Sequence, residues 1–335
     1  MRKKILITGA SGFIGSHLVE EGLSKGYEVY AGVRAGSSRE YLREGAIRFF
    51  LLDLSSRQAM EKKLKEFGRS QGAFDYIIHN AGITRARKKE EFQLVNDRYT
   101  RNLLDALGGA GMMPERFLFI SSLAVSGPGE AEGYTPIRLC DGDHPLSAYA
   151  RSKAAAEKYI RSVPGLPYLI LRPTAVYGPR DRDFLSYFRL LGKGIEPYFS
   201  YRRQMLSLIF VKDFCKVVFA LLDSGMAPGT FLVSDGMSYR KEDLGRTMRK
   251  VLDRAAISIR IPLPPIRAAV FCLEKIYSLL GSMPFLHPEK LAEIAAVNWA
   301  CECTLWQDLA ISPGYSLEAG LRETAGWYKE RGWLR

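Results

Sequence analysis

A chain of 335 residues with 47% hydrophobic and 25% charged side chains has the makeup of a folded protein with a substantial core, which excludes a disordered chain. Five scattered cysteines, Cys140, Cys215, Cys272, Cys301 and Cys303, are odd in number and show no paired zinc-site spacing, so a disulfide framework and a metal are excluded and reduced thiols in a cytoplasm are expected. The net charge of +12 invites a nucleic-acid reading, but the cations are spread out, the densest cluster (Arg85, Arg87, Lys88, Lys89) runs into Glu90 and Glu91, and no nucleic-acid fold motif accompanies it, so a solvated surface and no nucleic-acid partner are expected.

The opening MRKKILITGASGFIG sets a basic end before apolar residues, as a secretory leader would, but Gly9 and Gly12 break the apolar run at once and predict a strand entering a turn. From there short β-branched runs alternate with helical patterns: KILITGA, the helix SHLVEEGLSKG, YEVYAGVR, IRFFLLDL and a charged helix from Ser56 to Phe67. FDYIIHNAG, a helix over about Asn96 to Leu107, the strand RFLFISS, a helix starting near Tyr149 and the buried strand PYLILRP continue the series. The alternation predicts an α/β chain with a Rossmann-type doubly wound parallel sheet over residues 1–178. Beyond Gly178, Pro179, Pro197, Pro228, Pro262, Pro264 and Pro265 punctuate a smaller mixed C-terminal region, 179–335, expected to bind substrate. Within it, about 207–235 reads as a helix and strand returning to the main sheet. The tail carries Leu317, Leu321 and Trp327 at helical spacing and is expected to end as a surface helix. No uninterrupted apolar run is long enough to span a membrane; the nearest approach, 261–286, is broken by Arg267, Glu274 and Lys275.

Gly9, Gly12 and Gly15 fall between the first strand and the first helix, where glycine permits a tight turn and lets backbone N–H groups approach a pyrophosphate at a helix N-terminus. Dinucleotide binding follows. After the second strand, where an acid would hold a ribose diol, stand Val33 and Arg34, with Ser37, Ser38 and Arg39 beyond; these suit a 2′-phosphate, so NADP is favoured over NAD, although Arg34 stacking on adenine is the bland alternative. Asp53 and Leu54 follow the third strand and are placed for the adenine edge, or Asp53 caps the next helix. Tyr149 stands four residues before Lys153 in SAYARSK; on a helix the two share a face, and an ammonium beside a phenol favours its ionised form, a candidate acid/base device.

These residues resemble the extended short-chain dehydrogenase/reductase group, the NAD-dependent epimerase/dehydratase family. TGASGFIG, with Ser11, Phe13 and Ile14 among its glycines, is similar to the family's cofactor fingerprint, and HNAG, with Asn80, Ala81 and Gly82, to its cofactor-proximal loop. ISSLAVSG is similar to its serine strand, Tyr149 with Lys153 to its catalytic pair, and LRPTAVYGPRD, with Pro173 toward cofactor and Thr174, Ala175 and Tyr177 toward substrate, to its substrate loop. FVKD at 210–213 extends the matches, which run in the family's order. The resemblance implies that Tyr149 exchanges a proton at a carbinol oxygen, that Lys153 lowers the phenol's pKa and holds the nicotinamide ribose, and that Ser122 hydrogen-bonds the substrate oxygen. Ser122 is preferred to Ser121 because it lies five residues before Gly127; Ser121 then faces away. A homodimer built on a helix pair is implied as well.

Departures from the family pattern narrow the expected substrate. Leu123 and Ala124 replace the Asp-Glu pair of members that dehydrate sugars. Ala175 and Leu206 replace the Asn and Arg of sugar-nucleotide epimerases, with Arg202 or Arg203 as nearby substitutes. The later region instead offers Phe184, Tyr187, Phe188, Tyr198 and Phe199, then Ile266, Val270, Phe271, Leu273, Ile276, Tyr277, Leu279 and Leu280. These read as the wall of an apolar pocket, as core, or, for the 261–286 stretch, as an interfacial anchor making peripheral membrane contact. With Val33 and Arg34 they resemble the 3β-hydroxysteroid dehydrogenase and dihydroflavonol reductase branches. The expectation is hydride transfer at a secondary alcohol or ketone of a small hydrophobic, steroid- or terpenoid-like substrate. Nucleotide-sugar epimerisation is the alternative, and a non-catalytic dinucleotide-binding scaffold or sensor, which would not need Tyr149, Lys153 and Ser122 together, is the second.

Overall fold

Runs of β-branched and aromatic residues with both faces apolar become central strands because only a sheet covered on both sides can bury them. β1 (Lys4–Thr8), β4 (Tyr76–His79), β5 (Arg116–Ile120) and β6 (Tyr168–Pro173) are buried along almost their whole length. With β2 (Glu28–Val33), β3 (Arg48–Leu51) and a returning strand, Gly229–Val233, they form one seven-stranded sheet in the order returning strand, β6, β5, β4, β1, β2, β3. Every pairing from β6 to β3 is parallel. The strand order reverses on either side of β1, which makes the crevice beyond β1 and β4 the place where such sheets bind ligands. The computed structural model describes residues 2–334 except Glu44, Ser200, Leu280, Gly281 and Phe285, and omits the side chains of Ser278 and Leu279.

The helices covering this sheet include α1 (Phe13–Ser24), α2 (Arg57–Gln71), α3 (Lys89–Phe92), α4 (Tyr99–Ala110) and α5 (Ala148–Ser162), and the later helix Val211–Asp223 sets the Phe219 ring centroid 5.4 Å from that of Tyr27. α3 passes into α4 through a π-helical segment, Gln93–Arg98, so the helix expected from Asn96 begins about two turns earlier, at Lys89. The helix cap before α2 is Ser56, whose hydroxyl accepts from the Ala59 N–H, and Asp53 does not take that role. On one side of the sheet Leu6, Ile77, Phe117 and Ile170 meet Leu103, Leu107 and Ile160, with Phe67 stacked on Phe74 at 4.5 Å.

Two compact units divide the chain. The first comprises residues up to Val125, Ala148–Arg172 and Cys215–Phe231. The second comprises Ser126–Ser147, Pro173–Phe214 and the chain from Leu232 onward, so the units interleave. Within the second, Phe188 packs edge-on against Tyr328 of the C-terminal helix Leu317–Glu330, whose Leu321, Thr324 and Tyr328 are buried while Trp327 is only half-buried. Tyr198 is core as well. The apolar run at 263–279 forms a helix, Leu263–Leu279; among its described side chains Phe271, Leu273, Ile276 and Tyr277 are exposed, Ile266 is half-buried and only Val270 is enclosed, so most of this stretch is not core. Leu280 lies outside the described residues, as does the side chain of Leu279.

Candidate active site

The glycine turn sits where the first strand ends. Gly9 adopts φ +66°, and a Cβ there would come within 2.9 Å of the Ala81 backbone; one on Gly15 would come within 2.1 Å of the Gly9 carbonyl oxygen. Only glycine lets the turn pass under the end of β4 and start α1 so tightly. The turn is fastened by Gly12 N–H donating to Gly9 O at 3.1 Å, Ala81 N–H donating to Thr8 Oγ1 at 3.1 Å and Asn80 Nδ2 donating to Gly9 O at 3.4 Å. α1 begins with Gly12 as an N-cap bearing no side-chain acceptor and has no acidic residue in its first turn, leaving the positive end of the helix dipole for an anion. Gly12 is exposed and Ser11, Phe13 and Ile14 are half-buried around it. The residues present fit a dinucleotide's pyrophosphate.

Beside the ends of β2 and β3 lies a hollow of about 500 Å³ lined by Arg34, Ala35, Leu52, Asp53, Met60 and Lys63 among others. Arg34 is exposed, its N–H held by Ser37 Oγ at 3.1 Å. The Asp53 carboxylate accepts from the Ser55 hydroxyl and N–H, which keeps it below the ordinary carboxylate range, with the Arg34 charge a smaller contribution. Lys63, from α2, was not singled out in the sequence. Burial holds its ammonium below the ordinary range, and it lies 4.9 Å from the Phe50 ring centroid. Leu54 is half-buried, and its carbonyl accepts from Asn102 Nδ2 at 3.0 Å.

The third element is the start of α5. Tyr149, half-buried, meets Phe92 edge-on with ring centroids 6.1 Å apart. One turn on, Lys153 is buried, donates from Nζ to the Ile120 carbonyl at the end of β5 at 2.8 Å, and lies 4.7 Å from the Phe119 ring centroid. A Cβ added to Gly82 would stand 3.2 Å from that ammonium. Desolvation pulls the Lys153 pKa down to about 8, with Glu157 opposing. Ser122, two residues past Ile120, accepts the Ala124 N–H at its Oγ. Ser121 turns the other way and donates to buried Glu157, whose carboxylate also receives Arg172 Nε at 2.9 Å and Nη2 at 2.6 Å. The serine expected to face away does so because this buried carboxylate holds it.

Asn96 is a site residue that the sequence reading passed over. Buried in the π-helical segment, its side chain accepts from Ile83 N–H at 2.8 Å, donates to Ile83 O at 3.0 Å and donates to Ser152 Oγ at 3.0 Å. Ser152 in turn donates to Tyr149 O at 2.7 Å, so one amide ties the loop after β4 to the first turn of α5. His79 is likewise buried, between Thr8 Oγ1 at 2.8 Å and Thr100 Oγ1 at 2.9 Å; burial lowers its pKa to about 3, so it is a neutral strut at pH 7. Pro173 closes β6. The residues expected on the substrate side lie in the second unit: Thr174 is buried, Ala175 is exposed, and buried Tyr177 packs on half-buried Phe184 with ring centroids 5.5 Å apart.

A parallel sheet reversing at β1, a glycine turn opening onto a bare helix end, and a lysine buried one turn after a tyrosine define a nicotinamide-dinucleotide oxidoreductase of the short-chain dehydrogenase/reductase type. Residues 5–234 match the profile of the NAD dependent epimerase/dehydratase family, and the chain belongs to that family. It is 28% identical over 337 residues to the ceramide reductase of Caulobacter vibrioides, covering 99% of this chain and 96% of the relative. It is 27% identical over 338 residues to the UDP-glucose 4-epimerase of Vibrio cholerae, covering 97% and 95%. Among solved structures, the UDP-glucose 4-epimerase of Thermus thermophilus in complex with NAD superposes with TM-score 0.75 at 22% identity, over 97% of this chain and 99% of that one.

Proposed function

We propose that this enzyme reduces a ketone, or oxidises the matching secondary alcohol, on a hydrophobic molecule. The carrying observation is the buried Lys153 ammonium, held at the ends of β4 and β5 by Ile120 O and one helical turn from Tyr149. The cofactor, when bound, supplies or accepts the hydride. Tyr149 Oη gives its proton to the developing alkoxide in reduction and takes it back in oxidation; a phenol's ordinary pKa near 10 makes it a poor base unless a neighbouring cation favours the phenolate. Lys153 is that cation, fixed in place by its bond to Ile120 O, and Ser122 Oγ orients the substrate oxygen.

An apolar substrate is supported by what the polar positions hold. Leu123 and Ala124 offer neither a second acid nor a second base, Ala175 and Leu206 offer no anchor for a diphosphate, and Arg202 is engaged at Ala131 O at 2.8 Å. Arg34 and Lys63 in the hollow beside β2 favour NADP by providing two cations for a 2′-phosphate, while Asp53 and Leu54 take the adenine edge. The helix-pair homodimer of the resemblance is carried with this reading. The test is oxidation of NADPH and NADH at 340 nm with long-chain and steroid-like ketones and with UDP- and dTDP-sugars. Turnover of the lipid-like ketones, faster with NADPH, is expected.

A second reading, sugar-nucleotide epimerisation, is favoured by the similarity to the UDP-glucose 4-epimerase of Vibrio cholerae. It expects a protein purified with its dinucleotide bound, tight UDP binding and no net change in nicotinamide absorbance.

A further inference from the structure

The helix Leu263–Leu279 follows directly on a strand, Ile257–Arg260, that is exposed at every residue. Among the helix's described side chains only Val270 is buried, while Phe271 is 55% and Ile276 56% exposed. Pro265, Ala269, Cys272, Leu273 and Ile276 recur at helical spacing and share one face, with Arg267, Glu274 and Lys275 off it. Lys275 Nζ sits 5.4 Å from the Phe271 ring centroid. On the preceding strand Ile257, 75% exposed, and Ile259 share a face, and Ile195, opposite Ile257 in the two-stranded sheet, is exposed too. Apolar side chains left facing water on both elements are the mark of a docking face.

The charge around it indicates the occupant. Between residues 254 and 277 stand Arg254, Arg260, Arg267 and Lys275 with Glu274 as the one acidic residue, on a chain carrying +12. A two-fold contact with a second copy would press these cations on one another, which disfavours that partner. At 17 residues the helix is about 25 Å long. No helix among the described residues is long and apolar enough to cross a membrane.

We propose that this face seats on the surface of an anionic phospholipid bilayer. The helix lies in the interfacial plane, Leu273 and Ile276 enter the acyl boundary, and Arg267 and Lys275 reach up to headgroup phosphates. This proposal does not rest on the substrate reading above. It is tested with the full-length protein by co-sedimentation with vesicles of phosphatidylglycerol and phosphatidylcholine against vesicles of phosphatidylcholine alone. Binding to the anionic vesicles, roughly ten-fold or more weaker to the neutral ones and weakened by salt, is expected. The Leu273→Glu, Ile276→Glu double variant should lose it, and Lys275→Gln should weaken it about five-fold, both with dinucleotide binding unchanged. Wild-type protein that sediments with neither vesicle, or binds both equally, overturns the proposal. So does a double variant that binds as wild type, or one that merely converts a wild-type dimer into a monomer in light scattering.

Discussion

In the proposed mechanism Tyr149 and Lys153 are one device split between two side chains, and substitutions should separate the halves. Tyr149→Phe keeps the ring that meets Phe92 and removes only the proton-bearing oxygen, so kcat should fall about 10²- to 10⁴-fold with the fold intact. Steady-state kinetics beside circular dichroism checks this. Lys153 gives a pH signature in the cofactor-free protein. Its folded pKa, about 8, lies below its ordinary value of 10.5, so between the two the unfolded chain binds more protons and stability rises with pH. Below pH 8 both states hold the proton and burial of the charge opposes folding in full, on the order of 3 kcal/mol. Lys153→Met also leaves Ile120 O without its donor, a loss that does not vary with pH. The wild type should therefore gain stability relative to the variant from pH 8 to about pH 10.5, read from urea midpoints, and a flat difference would show the lysine to be solvated.

At the scale of elements, α5 is held by a buried ionic knot. Glu157 gathers Ser121, buried Arg172 and the exposed Arg161, and removing its carboxylate leaves the Arg172 charge with no water to turn to. Glu157→Ala should cost about 3–5 kcal/mol in denaturant unfolding, and Glu157→Gln less, because the amide oxygen still accepts. A loss under 1 kcal/mol would mean that the carboxylate is not sealed in. The strands and helices that carry the site were legible for plain reasons: apolar runs at strand length, glycines at a turn and a phenol four residues before an ammonium each encode geometry locally. Asn96 was not, since a buried amide inside a helical pattern does not announce which loop it binds, and the π-helical segment shifts the register by which its face would be read. Lys63 was hidden too, because its neighbours Arg34 and Asp53 are near it only after β2 and β3 pair.

At the scale of the molecule, the +12 charge is scattered along the sequence, and a solvated surface is the expectation to test. Mixed with duplex DNA, the protein should bind weakly and without sequence preference, and lose that binding as salt rises from about 50 to 200 mM. Salt-resistant, sequence-selective binding in a gel-shift assay would refute the solvated surface. The alternation of strand and helix made the first unit readable, whereas the second was readable only in outline. Its short strands pair at a distance, as Met205 and Leu206 do with Asn298 and Trp299, and nothing local in either segment names the other. The 263–279 helix shows the limit of composition: an apolar run suits a core, a pocket wall or a bilayer equally, and only its exposure sets most of its described side chains apart from the core.

Asn96 grips both the N–H and the carbonyl of Ile83. The ledge after β4 is thus set before any dinucleotide arrives, and occupancy need not freeze it. In heavy water the Ile83 amide should trade its hydrogen slowly in the empty enzyme and scarcely more slowly when loaded, whereas Asn96→Ala should turn it into a fast exchanger that ligand slows again.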